Sequence, residues 1–377
     1  MKSIRMGRSH LRLFFCVSII FVASCTPPPP PTLHTTASID AGNTWSTFLQ
    51  DDHTLMICGN HIDSSGYDIS PVPVTSISDV SATADGGFHM LMLKTDGTVW
   101  ACGANTYGQL GNGTTNSTAI PVLISSLTGI TQISSGEMHS LFLKSDGTAW
   151  ASGWNSAGQL GNGGTTDQLT PVQVSGISGI TSIAGGYLHS LFLKSDGTVW
   201  ACGNNTLGQL GDSTNTDHTS PVQLTSLSGI TGIAAGRSHS LFLRNDGTVW
   251  ACGNNTFGQL GNGTNTDSNV PVQVTGLTGI TAIDIGREYS LFLKNDGTVW
   301  ACGRNLYGQL GNGTNTDLNV PVQVTGLANI IAIATRNYHS LFLKNDATVW
   351  ACGLNVAGEL GDGTATNRST PVQIPGL

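Results

Sequence analysis

The chain repeats one phrase at a constant interval of 50 residues. The interval is marked by six tryptophans: Trp100, Trp150, Trp200, Trp250, Trp300 and Trp350. Seven copies align on it, a shorter one beginning near Trp45 and six beginning near His89, His139, His189, His239, Tyr289 and His339. A period of this length indicates a repeat array, in which each unit buries its apolar surface only against its neighbours.

Each copy reads as four short β-strands. In the copy around Trp200 the segments are 180–185, 190–194, 198–203 and 221–224. Asp196-Gly197 separates the second segment from the third and is a strong hairpin signal, because glycine accepts a positive φ. Four antiparallel strands per copy, seven times over, predict an all-β, seven-bladed β-propeller across residues 38–377. The N-terminal strand, 38–42, is expected to complete the blade begun by the last copy and so to close the ring.

The first residues have the pattern of an export signal. A basic segment from Lys2 to Arg12 precedes an apolar run, 13–23, which is too short to span a membrane. The run ends at Val22-Ala23-Ser24-Cys25, which resembles a bacterial lipobox. We therefore predict a signal peptide over 1–24, a lipidated Cys25, and a proline-rich spacer over 25–37. This implies an outer-membrane or cell-surface lipoprotein; the alternative is a simple secretory signal and a secreted or periplasmic protein.

The charge of the chain argues against nucleic acid as a partner. Four of the 15 basic residues precede Cys25, where no acidic residue stands. The remainder holds 11 basic against 23 acidic residues, a net charge of −12. A body this acidic repels phosphate backbones.

The repeated phrase HSLFLKxDGTVWACGxNxxGQLGxGT resembles the regulator of chromosome condensation repeat family. The GQLG element, as at 108–111, is specific to that family, and the resemblance covers residues 38–377. It implies the same seven-bladed propeller. One departure is that the family usually has tryptophan before the glycine of the third strand, where this chain has Ser152 in one copy and cysteine in the others: Cys58, Cys102, Cys202, Cys252, Cys302 and Cys352.

The resemblance implies the fold of the family but is weaker support for the activity of its founding member. The founding member catalyses nucleotide exchange on the nuclear GTPase Ran through an inserted wedge and specific acidic residues. The copies here are regular and have no such insertion, so exchange activity is kept only as a further alternative. Secreted bacterial β-lactamase inhibitors are similar propellers that bind their target through one face, which suits an exported chain better.

The residues that vary between copies are expected on one face of the disc. Because strands alternate in direction, the loops between first and second strands and between third and fourth strands share that face. Its variable positions are rich in aromatic residues, arginine and methionine, which anchor protein interfaces. The candidates are Phe88, Tyr107, Met138, Trp154, Tyr187, Arg237, Phe257, Arg287, Arg304, Tyr307 and Tyr338. An alternative is that aromatics such as Tyr107 only cover the tops of neighbouring blades.

The cysteines, histidines and aspartates that recur from copy to copy are explained by the fold rather than by catalysis. The cysteines are expected to be small buried residues. The recurring histidines give way to Trp45 and Tyr289, so an aromatic ring suffices there. The aspartates of the Asp-Gly pairs are turn residues, although Ala347 and His53 replace the glycine in two copies. We expect no cofactor and no metal.

These observations predict a non-enzymatic, monomeric scaffold that binds another macromolecule through its variable face. The alternative is a propeller that binds a carbohydrate or another small molecule on its aromatic residues. An enzyme acting at the axial funnel would need acids or histidines clustered on the inner strand, and the sequence analysis finds none there.

Overall fold

The computed structural model describes residues 35–60 and 66–377. These residues form 28 strands in seven four-stranded sheets, so the predicted all-β seven-bladed propeller is confirmed. Within the same residues, no helix is long and apolar enough to cross a membrane. The predicted signal peptide and Cys25 lie outside the described residues.

The blades follow one another along the chain, each with its strands in sequence order from the first to the fourth. Blades 1 to 3 contain β1 (Thr36–Ala41), β2 (Trp45–Gln50), β3 (Leu55–Gly59), β4 (Asp68–Pro73); β5 (Val80–Asp85), β6 (His89–Lys94), β7 (Val99–Gly103), β8 (Thr118–Leu123); β9 (Ile130–Ser135), β10 (His139–Lys144), β11 (Ala149–Gly153), β12 (Gln168–Gln173). Blades 4 and 5 contain β13 (Ile180–Gly185), β14 (His189–Lys194), β15 (Val199–Gly203), β16 (His218–Gln223); β17 (Ile230–Ala235), β18 (His239–Arg244), β19 (Val249–Gly253), β20 (Ser268–Gln273). Blades 6 and 7 contain β21 (Ile280–Ile285), β22 (Tyr289–Lys294), β23 (Val299–Gly303), β24 (Leu318–Gln323); β25 (Ile330–Arg336), β26 (His339–Lys344), β27 (Val349–Gly353), β28 (Arg368–Gln373).

The N-terminal strand does not complete the last blade, and that expectation was wrong. β1 pairs with β2 in its own sheet, and the last blade already has β25 as its first strand. The ring closes instead by packing of blade 1 on blade 7, where Ala41 and Phe48 share a core cluster with Leu341. Asn337 Nδ2 also donates to the Asn43 carbonyl at 2.9 Å. The physical reason is that a fully paired seventh sheet leaves no vacant position for another strand.

The hydrophobic core lies between blades rather than within them. Each of the seven buried clusters joins two consecutive blades. At the boundary of blades 3 and 4, for example, Leu141 and Val174 pack against Phe192 and Cys202. A single blade therefore exposes apolar surface on both faces, and only the closed ring covers it.

A hydrogen-bonded link accompanies the core at most boundaries. At the boundary of blades 4 and 5, His189 Nε2 lies 3.0 Å from Ser240 Oγ, and that hydroxyl donates to the Gln209 carbonyl at 2.7 Å. The serine has one proton and gives it to the carbonyl, so the imidazole must donate through Nε2. Histidine fills this position at five boundaries, through His89, His139, His189, His239 and His339.

Two of the seven boundaries lack the histidine, and they show what the hydrogen-bonded link requires. Tyr289 replaces the histidine between blades 6 and 7, and its hydroxyl lies 2.9 Å from Ser340 Oγ. Between blades 1 and 2 both polar members are replaced, by Trp45 and Met90, which are buried in the same cluster. The serine is thus lost only where the histidine is lost too, although Trp45 keeps a buried indole N–H at this boundary.

In each blade an aspartate lies in the hairpin between the second and third strands, and it acts as a turn residue, as predicted. Asp196 Oδ1 accepts the Thr198 amide at 3.0 Å and the Thr198 hydroxyl at 2.6 Å, and these hydrogen bonds lower the pKa of Asp196. The residue that follows has a positive φ in the two copies without glycine as well: 67° at Ala347 and 69° at His53. Both turns therefore keep the conformation that favours glycine.

Replacing Ala347 with glycine is expected to stabilise the protein by about 1 kcal/mol, because a Cβ is strained at this φ. The free energy of unfolding from urea titration measures the effect. Gly297→Ala, at the equivalent turn in blade 6 with a φ of 77°, is the matched control and should destabilise by a similar amount. A lower stability of Ala347→Gly would contradict the turn assignment.

Candidate binding surface

All eleven predicted candidates lie in loops on the same face of the disc. We call this the top face: it is formed by the loops between first and second strands and between third and fourth strands of each blade. The antiparallel pairing within every sheet places these loops together, as the sequence analysis expected. Phe88 is 48% exposed, and the other ten candidates are half-buried.

An asparagine organises the long top-face loop in each of blades 2 to 7. In blade 5, Asn255 is fully buried; its Oδ1 accepts the Leu260 amide at 2.9 Å and its Nδ2 donates to the Thr264 carbonyl at 3.0 Å. Gln259 Oε1 accepts the amide of Phe257 at 3.0 Å. These constant residues hold the backbone, so the variable side chain of Phe257 is presented in a defined place.

Glu288 is the centre of a charged cluster that the sequence analysis missed. It is 8% exposed, and its Oε1 accepts Arg237 Nη1 at 2.9 Å. Its Oε2 accepts Arg304 Nη1 and, at 3.2 Å, the hydroxyl of Tyr338. One carboxylate therefore ties together top loops of blades 5, 6 and 7. Glu288 stands beside Arg287 at a variable position, which was the only signal for it in the sequence.

Aromatic rings surround this cluster. The Arg304 guanidinium lies 4.7 Å from the ring centroid of Phe257 and 5.2 Å from that of Tyr338. The rings of Tyr338 and Tyr307 are 5.2 Å apart. Arg237 lies 5.7 Å from the Tyr187 centroid. Seven of the predicted candidates are thus brought together, and we call them, with Glu288, the Glu288 cluster: Tyr187, Arg237, Phe257, Arg287, Arg304, Tyr307 and Tyr338.

The remaining candidates lie elsewhere on the top face. Tyr107 stacks on Trp154 of the next blade, with centroids 5.1 Å apart and planes 20° apart. Met138 Sδ accepts Gln109 Nε2 at 3.4 Å. Phe88 makes neither type of contact. The stacking of Tyr107 on Trp154 means that these two rings do cover a blade boundary, which was the alternative interpretation, while each keeps an exposed side.

The inner strands carry a cluster of acids, contrary to the expectation of none. Asp40, Asp85 and Asp284 lie on β1, β5 and β21. Burial raises the pKa of Asp40 to about 6 and that of Asp284 to about 7, and it raises that of Asp85 well above the usual range. They were missed because each stands alone in its copy, and only the ring brings them together.

Asp40 and Asp284 join neighbouring inner strands through backbone amides, whereas Asp85 Oδ2 accepts the Thr47 hydroxyl at 2.8 Å. Asp40 Oδ2 accepts the amide of Asp85 at 2.8 Å, and Asp284 Oδ2 accepts the amide of Thr335 at 2.7 Å. Their oxygens are thus engaged in holding blade 1 to blade 2 and blade 6 to blade 7. The contacts indicate a structural role for the acids.

Arg336 spans the centre of the ring. It occupies the position of a glycine in all other copies: Gly42, Gly86, Gly136, Gly186, Gly236 and Gly286. Its Nη1 donates to the Ser135 carbonyl at 2.9 Å, which joins the inner strand of blade 7 to that of blade 3 on the far side. The exchange of glycine for arginine was a signal that the sequence analysis did not use.

The buried serine–histidine links do not form a catalytic site. His139 and Ser190 are fully inaccessible to solvent, and burial lowers the pKa of His139 to about 3. The serine proton is already donated to a carbonyl, and the second ring nitrogen, Nδ1, has no hydrogen-bond partner that would orient the ring. The cysteines are likewise buried, and burial raises the pKa of their thiols.

Comparisons with known proteins agree with this architecture. The RCC1-like domain model matches residues 165–377, and models of the regulator of chromosome condensation (RCC1) repeat match residues 96–143, 77–109 and 130–159. Together these matches extend over most of the propeller. A search of curated proteins gave no match.

Solved structures with the same fold include one from human and two from yeast. Human WBSCR16 is 26% identical, with a TM-score of 0.75 over 82% of this chain and 84% of that one. Yeast RCC1 (Prp20), solved with Kap60, is 23% identical, with a TM-score of 0.76 over 84% of this chain and 80% of that one. Prp20p from Saccharomyces cerevisiae, described together with its binding to Gsp1p and histones, is 22% identical, with a TM-score of 0.73 over 81% of this chain and 80% of that one.

The repeat matches, the seven four-stranded blades and the loops built on constant asparagines all lead to one assignment. The chain belongs to the RCC1-like family, whose β-propellers are commonly protein-binding scaffolds.

Proposed function

We propose that this propeller is a non-enzymatic scaffold that binds a protein partner through its top face. The observation that carries the proposal is the Glu288 cluster, in which arginines and aromatic rings from four consecutive blades are held together at the surface. Arginine and tyrosine are the residues in which interface energy concentrates. The ring behind them is rigid, so little conformational entropy is lost on binding.

Export and a lipid anchor are part of the same proposal. The sequence from Lys2 to Cys25 supports them, and the proline-rich spacer would hold the ring away from a membrane surface. A related propeller supports the binding role: Prp20p has been described with its binding to Gsp1p and histones.

A second candidate function is carbohydrate binding. The Tyr107–Trp154 stack favours it, because flat aromatic surfaces of this kind support sugar rings. A glycan array separates the two functions, since a protein scaffold would leave the array unlabelled.

Replacing Trp154 and Tyr307 with alanine in one variant is expected to abolish capture of a protein partner. Both rings are half-buried at the surface, so the melting temperature should fall by no more than a few degrees. The measurement is retention of envelope proteins on the immobilised chain, identified by mass spectrometry. The matched control replaces Lys194 and Lys294, beside turns of the opposite face, with alanine. Undiminished capture by the top-face variant would contradict the proposal.

A further inference from the structure

The top face concentrates positive charge in an acidic chain. Six cations, one at the end of each second strand of blades 2 to 7, stand beside turns of the opposite face: Lys94, Lys144, Lys194, Arg244, Lys294 and Lys344. Arg368 pairs with Asp362 near the outer strand of blade 7. The remaining four cations of the described residues are Arg237, Arg287, Arg304 and Arg336, and all four lie in or beside the top loops of blades 5 to 7.

Three of these four arginines already have partners. Arg237 and Arg304 share the Glu288 carboxylate, and Arg336 donates to the Ser135 carbonyl. The side chain of Arg287 makes no hydrogen bond or ion pair with any residue of 35–60 or 66–377. Its Nε is buried without a partner, and its guanidinium lies 5.6 Å from the Tyr338 centroid. A buried donor without a partner is costly, and a bound acceptor would remove that cost.

Arg287 also stands where two surface depressions meet. One, at the mouth of the central channel, is lined by Arg237, Arg287, Arg336 and one carboxylate, Glu137. The other lies between top loops of blades 4 to 6 and is lined by Arg237, Arg287, Phe257 and Glu288, whose carboxylate is already held by Arg237 and Arg304. A side chain that entered from above would therefore meet two arginines and an aromatic ring.

We propose that Arg287 is a carboxylate-binding position and that the partner presents an acidic protein segment to it. This inference rests on the proposed function and names the chemistry of the partner. Arginine binds a carboxylate with two parallel hydrogen bonds, and Arg237 and Arg304 together carry one positive charge more than the single Glu288 that they share. The strongly acidic remainder of the chain repels such a segment, so binding is confined to this patch.

A defined acidic peptide tests the inference without knowledge of the natural partner. The probe is a capped hexaglutamate peptide, titrated into the full chain by calorimetry at low salt, with capped hexaglutamine as the uncharged control. We expect hexaglutamate alone to bind, and its affinity to fall as salt is added. Arg287→Gln should weaken binding about tenfold, a typical effect of removing a central interface arginine. Arg244→Gln, at a turn of the opposite face, should leave the affinity unchanged.

Several results would overturn the inference. They are an absence of hexaglutamate binding, equal binding of hexaglutamine, or an equal loss in both arginine variants. Inorganic phosphate that displaces the peptide at similar concentration would also overturn it, because the site would then be a general anion position. None of these results bears on protein capture through Trp154 and Tyr307. The proposed function can therefore stand if this inference fails, and the peptide can bind if capture fails.

Discussion

Replacing Ser240 with alanine is expected to lower the free energy of unfolding by about 2 to 3 kcal/mol, far more than a buried serine usually costs to remove. The hydroxyl accepts from His189 and donates to the Gln209 carbonyl, and both groups are inaccessible to solvent. Without the hydroxyl, the buried Nε2–H of His189 has no acceptor. The Gln209 carbonyl then keeps only the weak Cys252 thiol donor at 3.4 Å. Urea titration followed by tryptophan fluorescence measures the loss.

The matched control removes both polar partners at once. His189→Phe combined with Ser240→Ala should cost less than the single Ser240→Ala change, because no buried donor is then left unmatched. Trp45 and Met90 are a partial precedent, since they fill the equivalent positions between blades 1 and 2 without a histidine–serine bond, although the Trp45 indole N–H is still a donor. If the single and double variants lose equal stability, the histidine–serine bond does not contribute as we infer.

The protein is expected to lose stability as pH falls from about 6.5 to about 4. Burial lowers the pKa of His89, His139 and His239 to about 3 and that of His189 and His339 to about 4. Their charged forms are favoured in the unfolded chain, so stability is lost as pH falls below the ordinary histidine pKa near 6.5. Each such proton contributes about 1.4 kcal/mol per pH unit.

The aspartates of the inner strands oppose part of this loss. Asp40 and Asp284 have pKa values of about 6 and about 7, so the folded state binds their protons more tightly than the unfolded state does. Their contribution grows as pH falls from about 7 and is complete below about 3.8, the pKa of an unfolded aspartate. Asp85 acts in the same direction, since burial also raises its pKa. Three aspartates can offset at most three of the five histidine protons, so a net loss of about 3 kcal/mol per pH unit should remain between about pH 6 and 4.

Without the aspartates, the five histidine protons would give a slope of about 7 kcal/mol per pH unit between about pH 6 and 4. Free energies of unfolding measured from pH 7 to 3.5 provide the slope. His139→Tyr is the matched variant, because Tyr289 already fills this position in blade 6 and its hydroxyl contacts Ser340. This variant should reduce the slope of the free energy of unfolding against pH by about one proton, or about 1.4 kcal/mol per pH unit. A free energy of unfolding that is independent of pH between about 6.5 and 4, or an equal slope in His139→Tyr and the unchanged chain, would contradict neutral, buried imidazoles.

Much of the fold could be predicted because the information is local to each copy. The strand segments 180–185 and 198–203 and the Asp196-Gly197 turn follow from alternation and turn chemistry within about 50 residues, and the structure has strands at Ile180–Gly185 and Val199–Gly203. The same holds for the positive φ at Ala347. The top-face placement of the candidates followed from strand direction alone.

The candidate site was predicted in part. Comparison of equivalent positions pointed to Arg237, Phe257 and Tyr338 as variable surface residues. It did not single out Glu288, which looks unremarkable in the sequence but accepts from three side chains in the structure. The importance of a single carboxylate depends on which loops converge upon it.

The sequence by itself determined the number of blades, the order of strands within a blade, the turns and the face that varies, because each depends on residues close together in the chain. Only the tertiary structure decided how the ring closes and what occupies its centre. β1 could pair within its own copy or with the last one, and the sequence pattern suits both. Arg336 reaches a carbonyl 201 residues away. Such contacts exist only after all seven blades have closed, so the copies taken one at a time contain no trace of them.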